Sequence, residues 1–339
     1  MRASRGRSGP DTVGAAGERA VLERVLARIP PTALAEVGPG DDAAVVAAPD
    51  GRYVVTTDLM VEGPDFRLAW HGPFELGWKA AATNLADLAA MGARPAALTV
   101  GIACPPELPV PFLEEFAEGL VGACAAMAPG CGVVGGDLSA SRELMISVTA
   151  LGDMEGRRPV LRSGARPGDV VAVAGELGLA AAGLALLFAR ASEGGTALAD
   201  PVSALWIEEP ELLAAQLAPS PPISAGPLAA LAGATAMLDV SDGLLLDAWR
   251  VARASTVRIE LESAALGPQA ALALGGGEDH ALLATFPAGI VLPQGFRRIG
   301  AVAAAGAEGP AVAVDGVTGG PEGWDPYTAS WASQSAVSP

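Results

Sequence analysis

Histidine, lysine and cysteine are scarce in this chain of 339 residues, and each shortage narrows the chemistry. The two histidines, His71 and His280, form no HExxH pair and no Cys/His cluster, which argues against a zinc centre. No GxSxG elbow is present, and His280 beside Asp279 reads as an ordinary strand residue rather than part of a nucleophilic triad. Cys104, Cys124 and Cys131 make neither a CxxC motif nor an even framework, so they read as reduced packing residues of a cytoplasmic protein. A GxxxxGK[ST] loop and the kinase HRD and DFG signatures are missing. GCGVVG at 130–135 formally matches GxGxxG, but it follows a helix and runs into a strand instead of opening a helix, and the match is rejected. No apolar run is long enough for a membrane: the strongest, 177–189, falls short of the roughly 20 residues a span requires and predicts a buried helix. Residues 1–17 hold three arginines but no apolar core, so they read as a disordered tail and not as a signal peptide. With 21 basic against 38 acidic residues and a net charge of -17, a nucleic-acid partner is disfavoured.

Apolar residues make up 51% of the chain, enough for sizeable cores, and the length predicts two domains. Periodicity predicts helices over 18–29, 74–92 and from 111 onwards, with strands beginning at 52, 95, 133 and 143, so the first half alternates helix and strand. The segment 156–169, GRRPVLRSGARPGD, lacks apolar periodicity and reads as the domain junction. Beyond it come a strand at 169–175, helices at 178–190 and 203–217, a strand, acidic turn and helix from 234, and turn-linked strands in GGGEDHALLATF and AVAVDG. The boundaries are a tail at 1–17, an N-terminal unit at 18–156, a second unit at 157–328 and a loose end at 329–339.

Carboxylates recur beside glycines or at strand ends: Asp41 and Asp42 in GPGDD, Asp58 in TTD, Asp137 in VVGGD, Asp239 and Asp242 in LDVSDG, Glu278 and Asp279 in GGGED. Two unit charges about 4 Å apart at an effective dielectric near 20 repel by roughly 4 kcal/mol, so adjacent acids in one site call for a cation or a proton. The alternative for any one pair is a capped turn facing water. Five such places in a chain with 17% charged residues point instead to hard oxygen ligands for Mg²⁺, with glycine letting the backbone approach. Asp87 lies inside an apolar helix on the face of Thr83. Taken alone, Lys79 reads as a solvated helical side chain and Arg162 as a linker residue, although either could offset phosphate charge.

VGPGDDAAVV, TTDLMVEG, KAAATNLADLAAMGARP, VVGGD, RSGARPGD, LDVSDGLLLD, GGGEDHALL and GGPEGWD stand in the order they have in a known family. Over residues 18–328 the chain resembles the thiamine-monophosphate kinases of the aminoimidazole-ribonucleotide synthetase-related superfamily. The resemblance implies an α/β (α+β) protein: an N-terminal four-stranded sheet domain that pairs into a barrel across a homodimer, followed by a C-terminal α/β sandwich. It implies ATP and several Mg²⁺ ions at the dimer interface, and transfer of the γ-phosphoryl group to thiamine monophosphate. Asp42, Thr56, Thr57, Asp58, Asp87, Asp137, Asp239 and Asp242 take the family's metal positions, and Gly136, Asp137, Arg162 and Ser241 those that touch ATP. Asp65, Glu278 and Trp324 take the acceptor's side. No catalytic residue apart from the metal ligands is implied, because a phosphate nucleophile is already ionised at neutral pH.

The chain departs from the family on that acceptor side: GPDF places Asp65 where His is usual, Ala218 replaces an Arg before Pro, Pro326 stands for His in WDPY, and the segment before GGGED is short. Two alternatives therefore stay open at this point, an enzyme of the same superfamily with another acceptor and a silent nucleotide-binding protein.

Overall fold

The computed structural model describes residues 11–39, 43–267, 270–320 and 322–324. It opens with α1 (Val13–Ala16), α2 (Glu18–Leu26) and the short pair β1 (Ala35–Val37) and β2 (Val45–Val46). Then come β3 (Val54–Val61), α3 (Pro73–Ala90), β4 (Arg94–Cys104), α4 (Val110–Met127), β5 (Val133–Ala140) and β6 (Met145–Asp153). A four-stranded sheet in the order β3-β6-β4-β5 results, antiparallel except where β4 runs beside β5. This is the sheet the resemblance implies.

Proline at the first turn and Gly92 at φ +76° frame α3, as helix start and stop chemistry requires. Its backbone touches that of α4. A Cβ on Gly77 would lie 2.0 Å from the carbonyl oxygen of Phe116, and one on Gly119 would lie 2.0 Å from that of Phe74. Only glycine permits this approach, which draws α3 down between its neighbours.

Residues 154–169 carry no helix or strand. The second half follows with β7 (Val170–Ala174), α5 (Leu179–Arg190), the hairpin of β8 (Ser192–Glu193) and β9 (Thr196–Ala197), α6 (Val202–Glu208), α7 (Pro210–Leu217) and α8 (Ala225–Leu231). It ends with β10 (Ala236–Val240), α9 (Leu244–Ser255), β11 (Val257–Leu261), α10 (Ala270–Gly275), β12 (Ala281–Phe286), β13 (Phe296–Ala304), β14 (Ala311–Val314) and β15 (Val317–Gly319). A mixed seven-stranded sheet in the order β10-β12-β7-β13-β11-β14-β15 forms, with β11 and β14 its parallel pair.

The period of two along these strands sends alternate side chains into two cores. Ala172, Ala174, Met237, Leu282, Ala284 and Phe286 join Leu85, Leu88 and Ala89 of α3 in one. Val171, Val173, Leu238, Val240 and Leu283 join Leu244, Ala248 and Val251 of α9 in the other. Helix α3 thus lies against both sheets, and β3 and β10 bring Asp58 and Asp239 to it from within the strands rather than from their ends. Truncating a fully buried side chain here, Leu85→Ala for example, costs about 2–5 kcal/mol.

Several expectations need correction. Residues 11–17 are not part of a loose tail: α1 docks through Val13 N–H to the Leu108 carbonyl and Gly14 N–H to that of Pro106, and Arg24 pairs with Asp11. The helix expected over 203–217 is two, α6 and α7, because Pro210 has no N–H to continue the first. Helix α5 buries only Ala180, Gly183 and Leu187 fully, so it is a surface-lying apolar helix and not an engulfed one. The segments 1–10 and 325–339, including Pro326, lie outside the described residues.

Candidate functional site

Alternation along β3 decides which residues reach α3. Thr56 and Asp58 face the helix, and Thr57 faces away. Thr56 Oγ1 donates to Asp87 Oδ2 at 2.6 Å, while the Asp58 N–H donates to Asn84 Oδ1 at 3.2 Å, so two side chains of α3 fix the strand. From the other sheet, β10 brings Asp239, whose Oδ2 lies 3.1 Å from Nδ1 of His280.

The acids feel one another. Burial pushes the Asp87 carboxyl up to about 7, and the charges of Asp239 and Asp58 add to that rise against the hydrogen bond from Thr56. Burial also raises Asp58, with Asp239 raising it further and His280 and Thr83 opposing. Burial works against a charge on His280, yet Asp239 outweighs it and raises the imidazole. Three carboxylates from β3, α3 and β10 therefore meet with less positive charge than they need. Among the described residues no group of three or more acidic, histidine or cysteine side chains is placed to hold a metal ion by itself. Hard oxygens under mutual repulsion nevertheless fit a Mg²⁺ ion that takes its remaining ligands from phosphate and water.

The turn after β10 is the hub of the site. Asp247, from the first turn of α9, accepts the N–H groups of Ser241 and Asp242 at 3.1 Å each, and Arg250 bridges Asp247 at 2.5 Å and Asp242 at 2.7 Å. Burial pushes Asp247 up to about 6, against those donors. The Ser241 carbonyl accepts the Glu278 N–H at 3.0 Å, and the Asp242 carbonyl accepts that of Trp324 at 2.8 Å. Gly277 makes the first contact possible, since a Cβ there would stand 1.9 Å from the Ser241 carbonyl oxygen.

Glu278 faces α3. Lys79 Nζ pairs with its Oε1 at 2.9 Å, and Gln216 Nε2 donates to Oε2 at 2.7 Å. Burial opposes the Glu278 charge, but Lys79 and Gln216 outweigh it and hold the carboxyl below its usual range. Asp65 accepts the Val61 N–H at 2.7 Å; burial raises its carboxyl, with Glu278 raising and Lys79 lowering it further.

Of the residues expected at the site, Thr56, Asp58, Asp87 and Asp239 come together, as do Ser241, Asp242, Glu278 and Trp324 around the turn, with Asp65 close to Glu278. Thr57 and Asp137 share the opposite, open face of the four-stranded sheet, where Thr57 bonds Thr149 at 2.8 Å. Asp137 sits inside β5, not at a strand end. With Gly136 it lines a cavity of about 830 Å³ bounded by α2, α4, Tyr53 and Pro39. Arg162 is exposed, its carbonyl bonded to Ser255 at the end of α9 remote from Ser241, so it is not brought to the acids. Asp42 lies outside the described residues.

Two residues differ from their sequence reading. Lys79 is not solvated; its side chain is 2% exposed, because it reaches Glu278 in the loop before β12. His280 is not in a strand: it precedes β12 at φ +52° and bonds Asp239. Asn84, Gln216 and Asp247 went unnoticed. Asp247 carried a readable signal, an acid in the first turn of a helix that follows a Gly turn with free N–H groups.

The comparisons accord with this geometry. Residues 40–154 match the family of the AIR synthase related protein, N-terminal domain. The thiamine-monophosphate kinase of Mycobacterium tuberculosis (strain H37Rv) is 45% identical, with 94% of this chain and 91% of the relative covered. The chain belongs to the thiamine-monophosphate kinase family. The family's Bacillus subtilis member is 34% identical over 74% of this chain and 77% of its own. Among solved structures, that of thiamine monophosphate kinase from Aquifex aeolicus has a TM-score of 0.68 at 35% identity, covering 81% of this chain and 91% of its own. AaThiL complexed with AMPPCP and TMP has a TM-score of 0.70 at 32% identity, covering 91% and 97%. Family membership removes the doubt raised by Asp65 and Ala218 about the kind of protein.

Proposed function

We propose that this chain is a Mg²⁺-dependent kinase that transfers the γ-phosphoryl group of ATP to the phosphate of thiamine monophosphate, giving thiamine diphosphate and ADP. The observation that carries the reading is the convergence of Asp58, Asp87 and Asp239 from three elements in a family that acts on this substrate. These carboxylates would hold Mg²⁺, with Thr56 and Asp242 beside them and Thr57 and Asp137 from the open sheet face; the resemblance adds Asp42, which lies outside the described residues. Bound Mg²⁺ supplies charge neutralisation for two polyanionic substrates.

The protein's own groups supply alignment. Thr56 and Asn84 lock β3 to α3 and so fix where the acids point. Gly136 and Asp137 stand at a cavity whose apolar walls and size suit a purine ring. The family resemblance assigns Ser241 and Arg162 to ATP as well, although Arg162 stands at the far end of α9 from Ser241 in this chain. Asp65, Glu278 and Trp324 face the acceptor. Because the attacking phosphate oxygen is already anionic, the site needs no strong general base, and its scarce histidine is no obstacle.

The same reading makes the enzyme a cytoplasmic homodimer with an N-terminal unit at 18–156 and a second at 157–328. The open face of the four-stranded sheet supports the pairing: Val55 and Leu59 are 59% and 56% exposed there, and the family resemblance joins two such faces into a barrel. Among the described residues no helix is long and apolar enough to cross a membrane.

A coupled ADP-release assay with chromatographic detection of thiamine diphosphate tests the proposal. ADP formation that requires both thiamine monophosphate and Mg²⁺ is the expected result. AMPPCP binding without any turnover of thiamine monophosphate would reject it in favour of another acceptor or a silent nucleotide-binding protein.

A further inference from the structure

Lys79 is the single lysine of the chain, and it is spent in the interior. From α3 it donates to the Gln216 carbonyl at 3.0 Å on α7 and pairs with Glu278 Oε1 at 2.9 Å. The Gln216 side chain takes the other oxygen, Oε2, at 2.7 Å. Each carboxylate oxygen of Glu278 is thus held by one donor, and the plane of the group is set. Its backbone is set as well, at φ +70° and with its N–H on the Ser241 carbonyl.

Stability does not account for this arrangement. A buried ion pair recovers little more than its desolvation cost, and apolar residues of similar volume serve a core at least as well. The Glu278 side chain keeps 36% exposure, and Asp65 stands near enough to feel its charge. His71, which burial drives down to about 3, adds no competing charge. A preset carboxylate beside a second one suits a cationic or amine-bearing heterocycle, the chemistry thiamine monophosphate presents.

We infer that Lys79 is a positioning residue for the acceptor: with Gln216 it fixes Glu278 in the orientation that meets the thiamine part, and it has no part in nucleotide binding. This rests on the reading of Glu278 as an acceptor contact given above.

Steady-state kinetics of Lys79→Met, Lys79→Arg and Gln216→Leu test it, with circular dichroism to confirm folding. Lys79→Met is expected to raise KM for thiamine monophosphate about tenfold or more, with kcat and the KM for ATP within about twofold, and Lys79→Arg to restore part of the loss. An unchanged acceptor KM in folded protein, or an equal rise in both KM values, overturns the inference. Should Lys79→Met fail to fold, wild-type enzyme labelled with 13C-lysine answers the same question through its one Cε resonance. That resonance is expected to move when thiamine monophosphate joins AMPPCP and Mg²⁺, and to stay in place with AMPPCP and Mg²⁺ alone. No movement while calorimetry records acceptor binding rejects the role of Lys79 only. A wild type that neither binds nor phosphorylates thiamine monophosphate rejects the functional reading, and this inference with it.

Discussion

Thr56 Oγ1 and Asp87 Oδ2 lie 2.6 Å apart, and this one hydrogen bond ties the middle of β3 to the helix that both sheets share. It holds Asp87 where Asp58 and Asp239 repel it, and two measurable properties follow from that position.

The first is a dependence of stability on pH. Asp87 has a folded pKa of about 7 against an ordinary value of 3.8, so between those limits the folded chain holds a proton that the unfolded chain has released. Its contribution is full below the lower value, falls as pH rises and is lost above the higher one. Asp87→Asn removes this dependence: without Mg²⁺ the variant is expected to match wild type near pH 4 and to exceed it by on the order of 1–3 kcal/mol at pH 8. Denaturant titrations at both pH values check this, and a variant weaker at pH 8 contradicts it.

The second is catalytic. Asp58→Asn and Asp87→Asn are each expected to lower kcat by about a hundredfold or more while the circular dichroism spectrum stays that of wild type. Near-normal turnover in both would remove these residues from the site.

Asp247 makes a separate prediction. It accepts two N–H groups of the turn that presents Ser241 and Asp242, so Asp247→Ala leaves them without that acceptor and Arg250 with Asp242 as its one remaining carboxylate partner. A loss of about 1–3 kcal/mol in stability and a raised KM for ATP are expected. Thermal unfolding together with ATP saturation curves reads both, and an unchanged KM would show that the turn does not depend on this carboxylate.

Pairing through the open sheet face is tested by Leu59→Asp. A charge in an apolar interface costs several kcal/mol, so sedimentation velocity is expected to find a dimer for wild type and a monomer for the variant. A dimer that withstands the substitution would place the interface elsewhere.

Much of this was legible in the sequence for physical reasons. Helix α3 could be read from its apolar helical period and its Gly92 stop, and the strands bearing Asp58, Asp137 and Asp239 from their short apolar runs. That Asp58 and Asp239 meet was not legible from spacing, because residues so far apart are joined only by the way α3 packs on two sheets; the ordered motifs supplied it by resemblance. Lys79 was misread for the same reason, as local pattern shows a helix surface but not the Glu278 loop that covers it. His280 was misread because its left-handed backbone, unusual for a residue that carries a Cβ, leaves no mark in the local apolar pattern.

Titration calorimetry of AMPPCP with and without Mg²⁺, on wild type and on Asp239→Asn, bears most directly on the claim that these carboxylates act together on the triphosphate. Wild type is predicted to bind the nucleotide tightly only with Mg²⁺, and Asp239→Asn to lose most of that gain. Equal affinity in both proteins, or binding indifferent to Mg²⁺, would contradict it.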